Sequence, residues 1–384
     1  MRRRPEAADY DLATSSRAVF NALATVGPAT RPQLGEALAL SKPTMSAAIA
    51  ELADHGLVTH QGAVRGTTGR SAQLYSIAAS AGHVLGVEAG STRVRVSAHA
   101  LDGHQIATAE RRLSSRARRV TEAVVSAVAR AGEEVMAAVG EASGPLRQVV
   151  IAAPTVPAEG RVKELRPDGL DTLDKALPLP PEVPVSIENN VNCAAMAEHR
   201  VGAARGHNDF VYLQIGVKIG LGLVVGGQLL RGFHGAAGEI AMLPFPWSDA
   251  DAVPRRAGLE EYLGSTALMA RSTAAWPAPK GPAPRTPEAL FAAAAGGNEV
   301  ARRMVDAHAR NVGRVVSAVL SVVDPGLVVL GGGVGQNQLL LPEVRRVVDE
   351  LAWPTEITIG ALGDHATIQG AVHTAITRAV DRMI

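Results

Sequence analysis

The sequence predicts a small N-terminal domain of three helices and a β-hairpin, followed by a larger α/β domain with two lobes. The small domain is indicated by three capped apolar stripes, which give way to an alternating pattern after Gly56. The α/β domain is indicated by alternating strands and Ala-rich helices, and by a strand, glycine turn and strand that occur twice, at 84–98 and 211–227. The predicted ranges are 1–80 and 81–384 for the domains, with lobes at about 82–195 and 196–384.

Each predicted helix of the first domain has its own start or stop signal. The first helix carries an apolar stripe and ends at Gly27. The second begins at a capping box, in which Thr30 and Gln33 have the required spacing. The third begins at the N-cap Ser41 and ends at Gly56. Its buried face is predicted to be Met45, Ile49 and Leu52, and its opposite face is predicted to be small and polar, with Lys42, Thr44, Ser46, Ala47 and Ala50.

The alternating residues 57–60 and 74–77 predict two strands, joined by a loop of glycines and arginines. Helix, turn, helix and hairpin together predict a winged helix-turn-helix. Short side chains on the third helix let its backbone approach the major groove, and arginines in the wing can reach phosphate or the minor groove. The predicted DNA-contacting residues are Ser41, Lys42, Thr44, Ser46, Arg65 and Arg70. The alternative is a small helical bundle with a polar surface and an incidental hairpin.

Charge and composition exclude several other classes of protein. The 384 residues carry a net charge of +1, so the whole chain is not a polycation, and any nucleic-acid role must be local. Cys193 is the only cysteine, which excludes an intramolecular disulfide and a multi-cysteine zinc site. No stretch of about 18 uninterrupted apolar residues is present, and no secretion signal follows the basic start. We expect a cytoplasmic protein.

Several motifs follow one another in a recognisable order. They are GVEAGST, IENNVNCAAMAE at 187–198, GAAGEI at 235–240, RRAGLEEY at 255–262 and LVVLGGGVG at 327–335. With the winged helix before them, they resemble the ROK family of repressors and sugar kinases. The resemblance implies an actin-like, two-lobed sugar-kinase fold behind a DNA-binding domain, in a homodimer or tetramer. It also implies either phosphorylation of a sugar or control of transcription by a bound sugar or sugar derivative.

The motifs depart from those of the family's kinases where phosphoryl transfer needs them. The general base of those kinases resembles the Asp of E-N-D-A-N, and here that position is Asn190, whose carboxamide is no base near neutral pH. Glu88 and Ser91 alter the first phosphate turn, and Val217 and Lys218 alter the second. We therefore expect no catalytic residues, no cofactor and no enzyme activity. Lys218 is interpreted as a solvated lysine, with attraction of an anion as the alternative.

The resemblance also bears on metal and sugar binding. Met242 stands where the family has a histidine, and no cysteine follows in PRRAGLEEY, so no metal site is expected. The residues that match the family's sugar contacts, or in one case its lost base, are Asn189, Asn190, Glu239 and Glu260. Helix capping and ordinary ion pairing are the alternatives for these four.

We therefore predict a repressor of carbohydrate-related genes that binds operator DNA and senses a sugar or sugar derivative. Two alternatives remain. One is an ATP-dependent sugar kinase with an accessory DNA-binding domain. The other is a regulator that has lost effector binding, and this alternative is indicated by Met242, which replaces the family's histidine.

Overall fold

A computed structural model describes residues 10–65, 71–90, 92–113, 122–154, 172–243, 258–277 and 282–384. The described residues form two compact units. Unit 1 contains those up to 154, those from 172 to 190, and 371–384, whereas unit 2 contains 191–370. Residues 371–384, which belong to the predicted second lobe, group with unit 1. There Val372 packs against Gly86, whose missing Cβ permits the close approach.

The N-terminal domain lies within unit 1 and has the predicted helices and hairpin. Its helices are α1 (Thr14–Val26), α2 (Arg31–Ala37) and α3 (Lys42–Asp54), and its strands are β1 (Ala29–Thr30), β2 (Val58–Arg65) and β3 (Ser71–Ile77). The strands form an antiparallel sheet in the order β1-β3-β2. The core of this domain consists of Val19, Phe20, Leu23, Met45, Ile49, Leu52 and Leu57, each at most 2% exposed.

The rest of unit 1 is built on a five-stranded sheet in the order β6-β5-β4-β7-β8. Its strands are β4 (His83–Ala89), β5 (Arg93–Ala100), β6 (Gln105–Arg112), β7 (Leu146–Ala153) and β8 (Val185–Asn189). The first three are antiparallel neighbours, whereas β4, β7 and β8 are parallel. Helix α4 (Glu122–Ala138) covers the sheet with Val124, Val128 and Val135.

Unit 2 has a second five-stranded sheet, in the order β11-β10-β9-β12-β13. Its strands are β9 (Phe210–Ile215), β10 (Ile219–Val225), β11 (Gln228–Leu229), β12 (Leu327–Gly331) and β13 (Glu356–Ile359). Its helices are α5 (Asn190–Val201), α6 (Gly258–Leu263), α7 (Ser265–Ala274), α8 (Pro287–Ala295), α9 (Glu299–Val323), α10 (Gly332–Gly335) and α11 (Leu341–Leu351), and α12 (Ala366–Met383) continues into unit 1. None of the helices in the described ranges is both long enough and apolar enough to cross a membrane.

The sequence pattern predicts helix over 288–322, and the structure forms two helices there, because the chain turns between α8 and α9. Gly297 has a φ of 86°, in the left-handed region that glycine adopts without strain. Asn298 then caps α9, since its Oδ1 accepts hydrogen bonds from the backbone N–H groups of Val300 and Ala301, both at 3.0 Å.

The end of α12 contacts the N-terminal domain inside unit 1. The backbone N–H of Tyr10 donates to the carbonyl of Met383 at 3.0 Å. Arg17 of α1 donates from Nη1 to the carbonyl of Ile384 at 2.9 Å. Arg147 of β7 donates from Nη2 to the Tyr10 hydroxyl at 3.2 Å. The helix-turn-helix is thus bonded both to the sheet of unit 1 and to α12.

Candidate functional site

The exposed face of α3 is the candidate DNA-binding surface. Ser41 caps the helix, because its Oγ accepts a hydrogen bond from the Thr44 N–H at 3.3 Å. The two hydroxyls are also 2.8 Å apart, within hydrogen-bond distance. Ser41, Lys42, Thr44 and Ser46 are all exposed, whereas Met45 is buried. The side chains predicted to reach DNA therefore face solvent.

Contacts behind α3 hold this surface in place. Glu51 accepts hydrogen bonds from the Ser16 hydroxyl and from the backbone N–H of Ala13, both at the start of α1. The Ser16 hydrogen bond, supported by that from Ala13, lowers the pKa of the Glu51 carboxyl. On α2, the Arg31 guanidinium lies 5.0 Å from the centre of the Tyr75 ring of β3. Helices α1, α2 and α3 are thus fixed to one another and to the hairpin.

The wing is only partly within the described residues. Arg65 is the last residue of β2, and the structure does not describe its side chain. Arg70 lies outside the described residues. Both therefore remain predictions as DNA contacts.

Two of the four predicted sugar contacts come together in unit 2. Glu239 directly precedes a short 3-10 helix at Ile240–Met242, and Glu260 lies on α6. Burial raises the pKa of Glu239, Lys218 opposes that shift, and the negative charge of Glu260 adds to it. Glu239 therefore interacts electrostatically with both Glu260 and Lys218. We call Glu239 and Glu260 the acid pair.

The backbone positions the acid pair. Gly238 has a φ of 86°, and a Cβ on it would lie 1.9 Å from the carbonyl oxygen of Leu221, so only glycine fits before Glu239. Glu260 accepts a hydrogen bond from the Ile219 N–H at 3.4 Å, which ties α6 to the start of β10. Carboxylates held in this way can accept hydrogen bonds from the hydroxyl groups of a ligand.

The other two predicted contacts lie at the end of β8. Asn189 is the last residue of the strand, opposite Ala153 of β7, and Asn190 is the first residue of α5. Asn189 therefore directly precedes the first residue of α5. Whether either side chain contacts a sugar remains a prediction.

The strand before the first phosphate turn carries ion pairs. Glu88 lies opposite Arg95 on the neighbouring strand β5, with Arg95 Nη1 3.7 Å from Glu88 Oε2. Arg93 Nε is 3.8 Å from the other carboxylate oxygen. Arg95 also donates from Nε to Glu110 of β6 at 2.7 Å. Two guanidinium groups thus neutralise Glu88, and Ser91 lies outside the described residues.

Sequence reasoning missed two residues of this region. Lys218, interpreted as a solvated lysine, is half-buried and interacts with Glu239. Glu198 of α5 is fully buried and accepts hydrogen bonds from three backbone N–H groups, those of Ala203, Ala361 and Leu362. A single acid at the end of the motif at 187–198 gave no signal of this role, because its partners are distant in sequence.

Individual relatives include both enzymes and regulators. The bifunctional enzyme NanE/NanK of Brucella melitensis is 32% identical over 50% of this chain, but the chain spans only 36% of that protein. The xylose repressor of Caldicellulosiruptor bescii is 25% identical over 51% of this chain and 53% of its own length.

Two solved structures have a similar fold. A ROK family transcriptional regulator, described as a homologue of the E. coli MLC protein, matches with a TM-score of 0.73 and 21% identity over 96% of both chains. The ROK hexokinase of Thermus thermophilus matches with a TM-score of 0.58 and 28% identity over 77% of this chain and 99% of its own.

Family models match most of the chain. A MarR family model matches residues 10–66, which cover the helix-turn-helix and β2. The ROK family model matches residues 84–378. These matches and the shared fold confirm the predicted fold class, a winged helix-turn-helix followed by an actin-like, sugar-kinase-like domain. The chain therefore belongs to the ROK family.

Proposed function

We propose that the chain is a DNA-binding transcriptional regulator, a repressor of carbohydrate-related genes, whose α/β domain binds a sugar or sugar derivative. The observation that carries the proposal is the face of α3. Lys42 and Ser46 are exposed there, and within the described structure neither side chain makes a hydrogen bond or ion pair. A capped helix with a buried apolar face and an unengaged face of short polar side chains suits insertion into the major groove.

The contacts inside unit 1 support a link between DNA and ligand binding. Tyr10, Arg17 and Arg147 bond the helix-turn-helix to the sheet of unit 1 and to α12. A ligand that favoured one arrangement of these contacts would change the presentation of α3, and by reciprocity DNA would change the ligand's affinity. The proposal is also consistent with the xylose repressor among the relatives.

The DNA-binding part is tested by selecting genomic fragments with the full-length chain. We expect the selected fragments to bind more tightly than random DNA of equal length, with an affinity that falls as salt increases. A chain that binds selected and random fragments equally at every salt concentration would contradict a role as a sequence-specific regulator.

The ligand-binding part is tested by thermal shift with sugars and sugar phosphates. A ligand that binds only the folded chain raises its melting temperature. The residues proposed to contact the ligand are Asn189, Asn190, Glu239 and Glu260. A positive sugar is then titrated into the protein–DNA complex, where we expect it to release the operator. The absence of any carbohydrate shift would favour a regulator that has lost its effector.

A sugar kinase is the second candidate, because the chain shares its fold with the ROK hexokinase of Thermus thermophilus. Against it, Asn190 supplies no general base, and Glu88 is paired with arginines of the neighbouring strand. We propose that the chain transfers no phosphoryl group. ATP-dependent phosphorylation of sugars, measured beside a competent kinase, decides between the two.

The proposed function also predicts the oligomeric state of the chain and its place in the cell. A regulator that recognises two half-sites needs two helix-turn-helix domains, so we propose a homodimer or a tetramer in the cytoplasm, where the operator is. Sedimentation of the full chain with and without operator DNA measures the assembly. A species that remains monomeric at the concentrations that saturate DNA would contradict it.

A further inference from the structure

Unit 2 contains a cavity of about 330 Å³ between α7 and α9, whose lining includes none of Lys218, Glu239 and Glu260. The lining residues from α7 and its C-cap are Leu268, Arg271, Ser272 and Ala275, and α6 adds Tyr262. Those from α9 are Val300, Arg303, Met304, Ala307, His308 and Asn311. The spacings on both helices are those of a single helix face. None of these lining residues belongs to the glycine turns at 216–220 or 331–335, so the cavity is separate from the positions that match the family's phosphate turns.

Two buried polar side chains on its wall have no hydrogen-bond partner among the described residues. His308 is 2% exposed and Ser272 is 1% exposed. The two ring nitrogens of His308 and the hydroxyl of Ser272 make no hydrogen bond within the described structure. Buried polar groups in folded proteins are nearly always paired, so groups left unpaired at a cavity wall indicate a partner that the cavity accommodates.

The charge at the cavity is positive. Arg271 donates from Nη1 to the carbonyl of Tyr262 and lies 4.3 Å from the centre of its ring. Burial lowers the pKa of Arg271, and no carboxylate pairs with it in the described structure. Arg303, at the rim, is exposed. A half-buried guanidinium without a counterion attracts an anion, and a carboxylate matches its planar fork.

His308 adds to this selectivity as a neutral group. Burial, assisted by the charge of Arg271, lowers the pKa of His308 to about 3, so the ring is neutral near pH 7 and offers one donor and one acceptor. Leu268, Val300 and Met304 form apolar walls beside these polar groups. The cavity thus combines the cations Arg271 and Arg303, three unpaired neutral hydrogen-bonding atoms on His308 and Ser272, and an apolar surface.

We propose that this cavity is a binding site for a small organic carboxylate, whose carboxylate group meets Arg271, Ser272 and His308 and whose apolar body packs against Leu268, Val300 and Met304. This site is distinct from the proposed sugar site. The chain would therefore respond to an organic acid in addition to a carbohydrate.

The test uses benzoate and its neutral isostere benzamide with the full-length chain labelled on histidine. The ring resonances of His308 are assigned by their loss in His308→Gln. We expect benzoate to shift them saturably with a Kd on the order of 1 mM or tighter, and benzamide to bind at least about tenfold more weakly. No saturable shift with benzoate, or equal binding of benzamide, would overturn the proposal.

Three variants locate the interaction. Arg271→Gln should weaken benzoate binding by about tenfold or more, since it removes the charge. Ser272→Ala removes only an unpaired hydroxyl, so it should fold, and it should weaken benzoate binding by a few-fold. Arg302→Gln, on an exposed position of α9 outside the lining, should leave the affinity unchanged. Unchanged affinity in both Arg271→Gln and Ser272→Ala would reject the site. Because the experiment uses neither DNA nor sugar, its failure leaves the proposed function standing.

Discussion

Arg378 of α12 forms an ion pair with Glu188 of β8, one residue before Asn189. The Glu188 side chain is 5% exposed, whereas that of Arg378 is 34% exposed. Both belong to unit 1, although 190 positions separate them in sequence. The pair therefore joins the strand that leads to the two asparagines with the helix that contacts α1.

Removing the arginine should destabilise unit 1. Arg378→Met removes the charged partner of a buried carboxylate, at a cost of about 3 kcal/mol in the free energy of unfolding. The added variant Glu188→Gln should recover part of this loss, because a neutral amide needs no counterion. Urea denaturation of the single and double variants measures both effects. If the losses in the free energy of unfolding simply add in the double variant, the two side chains do not depend on each other.

Lys42 should contribute to DNA affinity mainly through charge. Lys42→Ala is expected to weaken binding uniformly across sequences and to reduce the salt slope by about one unit if the side chain meets phosphate. Arg70→Ala should instead cost about 1 to 3 kcal/mol in a sequence-dependent way if it reads a groove. Fluorescence anisotropy at several salt concentrations gives both quantities, with the exposed Arg302→Ala of α9 as control. An unchanged affinity and slope would remove that residue from the interface.

Glu239 should have opposite effects on stability and ligand binding. Because burial raises its pKa above 4.5 in the folded chain, the folded state holds this proton more tightly than the unfolded state. Its contribution to stability is present below pH 4.5 and is lost as pH rises through the folded pKa. Glu239→Gln should thus raise the melting temperature at pH 7 relative to the native chain, by a difference that vanishes near pH 4, yet abolish the response to sugar. A pH series of thermal melts tests this sign.

Asn190→Asp should not create a kinase. The substitution restores a carboxylate, and a general base alone is worth about 10² to 10⁴ in rate. Phosphoryl transfer depends mainly on positioning and on neutralising phosphate charge. Glu88 is held by two arginines, and Val217 and Lys218 occupy the second turn. Sugar phosphorylation by Asn190→Asp, measured with native chain and a competent kinase, should stay at background. Activity in the variant would mean that the turns still hold ATP.

Local signals made much of the fold predictable. The cap at Ser41, the buried Met45 and the exposed Lys42 of α3 follow from spacing within one helix. Both glycine-turned hairpins, β4 with β5 and β9 with β10, also occur where predicted. Such elements depend on residues close together in the chain, so their sequence carries the information.

Elements that depend on distant partners were missed. The residues of β6 show no clear alternation of apolar and polar types. Strand β6 lies at the edge of its sheet, so its partial burial depends on its neighbour β5 and not on a pattern within the strand. The short helices α6 and α7 contain too few turns to show a period. At the candidate sites, the link of Lys218 to Glu239 and the unpaired His308 depend on packing between separate elements, which spacing along the chain does not reveal.

The contacts of α12 with α1 have a consequence for the order of folding. Tyr10 and Arg17 bond to the carbonyls of Met383 and Ile384, which the ribosome adds after the residues of unit 2. The helix-turn-helix can form its own short-range core early, but its attachment to α12 must wait until the residues of unit 2 have been made. A newly made chain would therefore hold a folded helix-turn-helix before that domain is attached to α12.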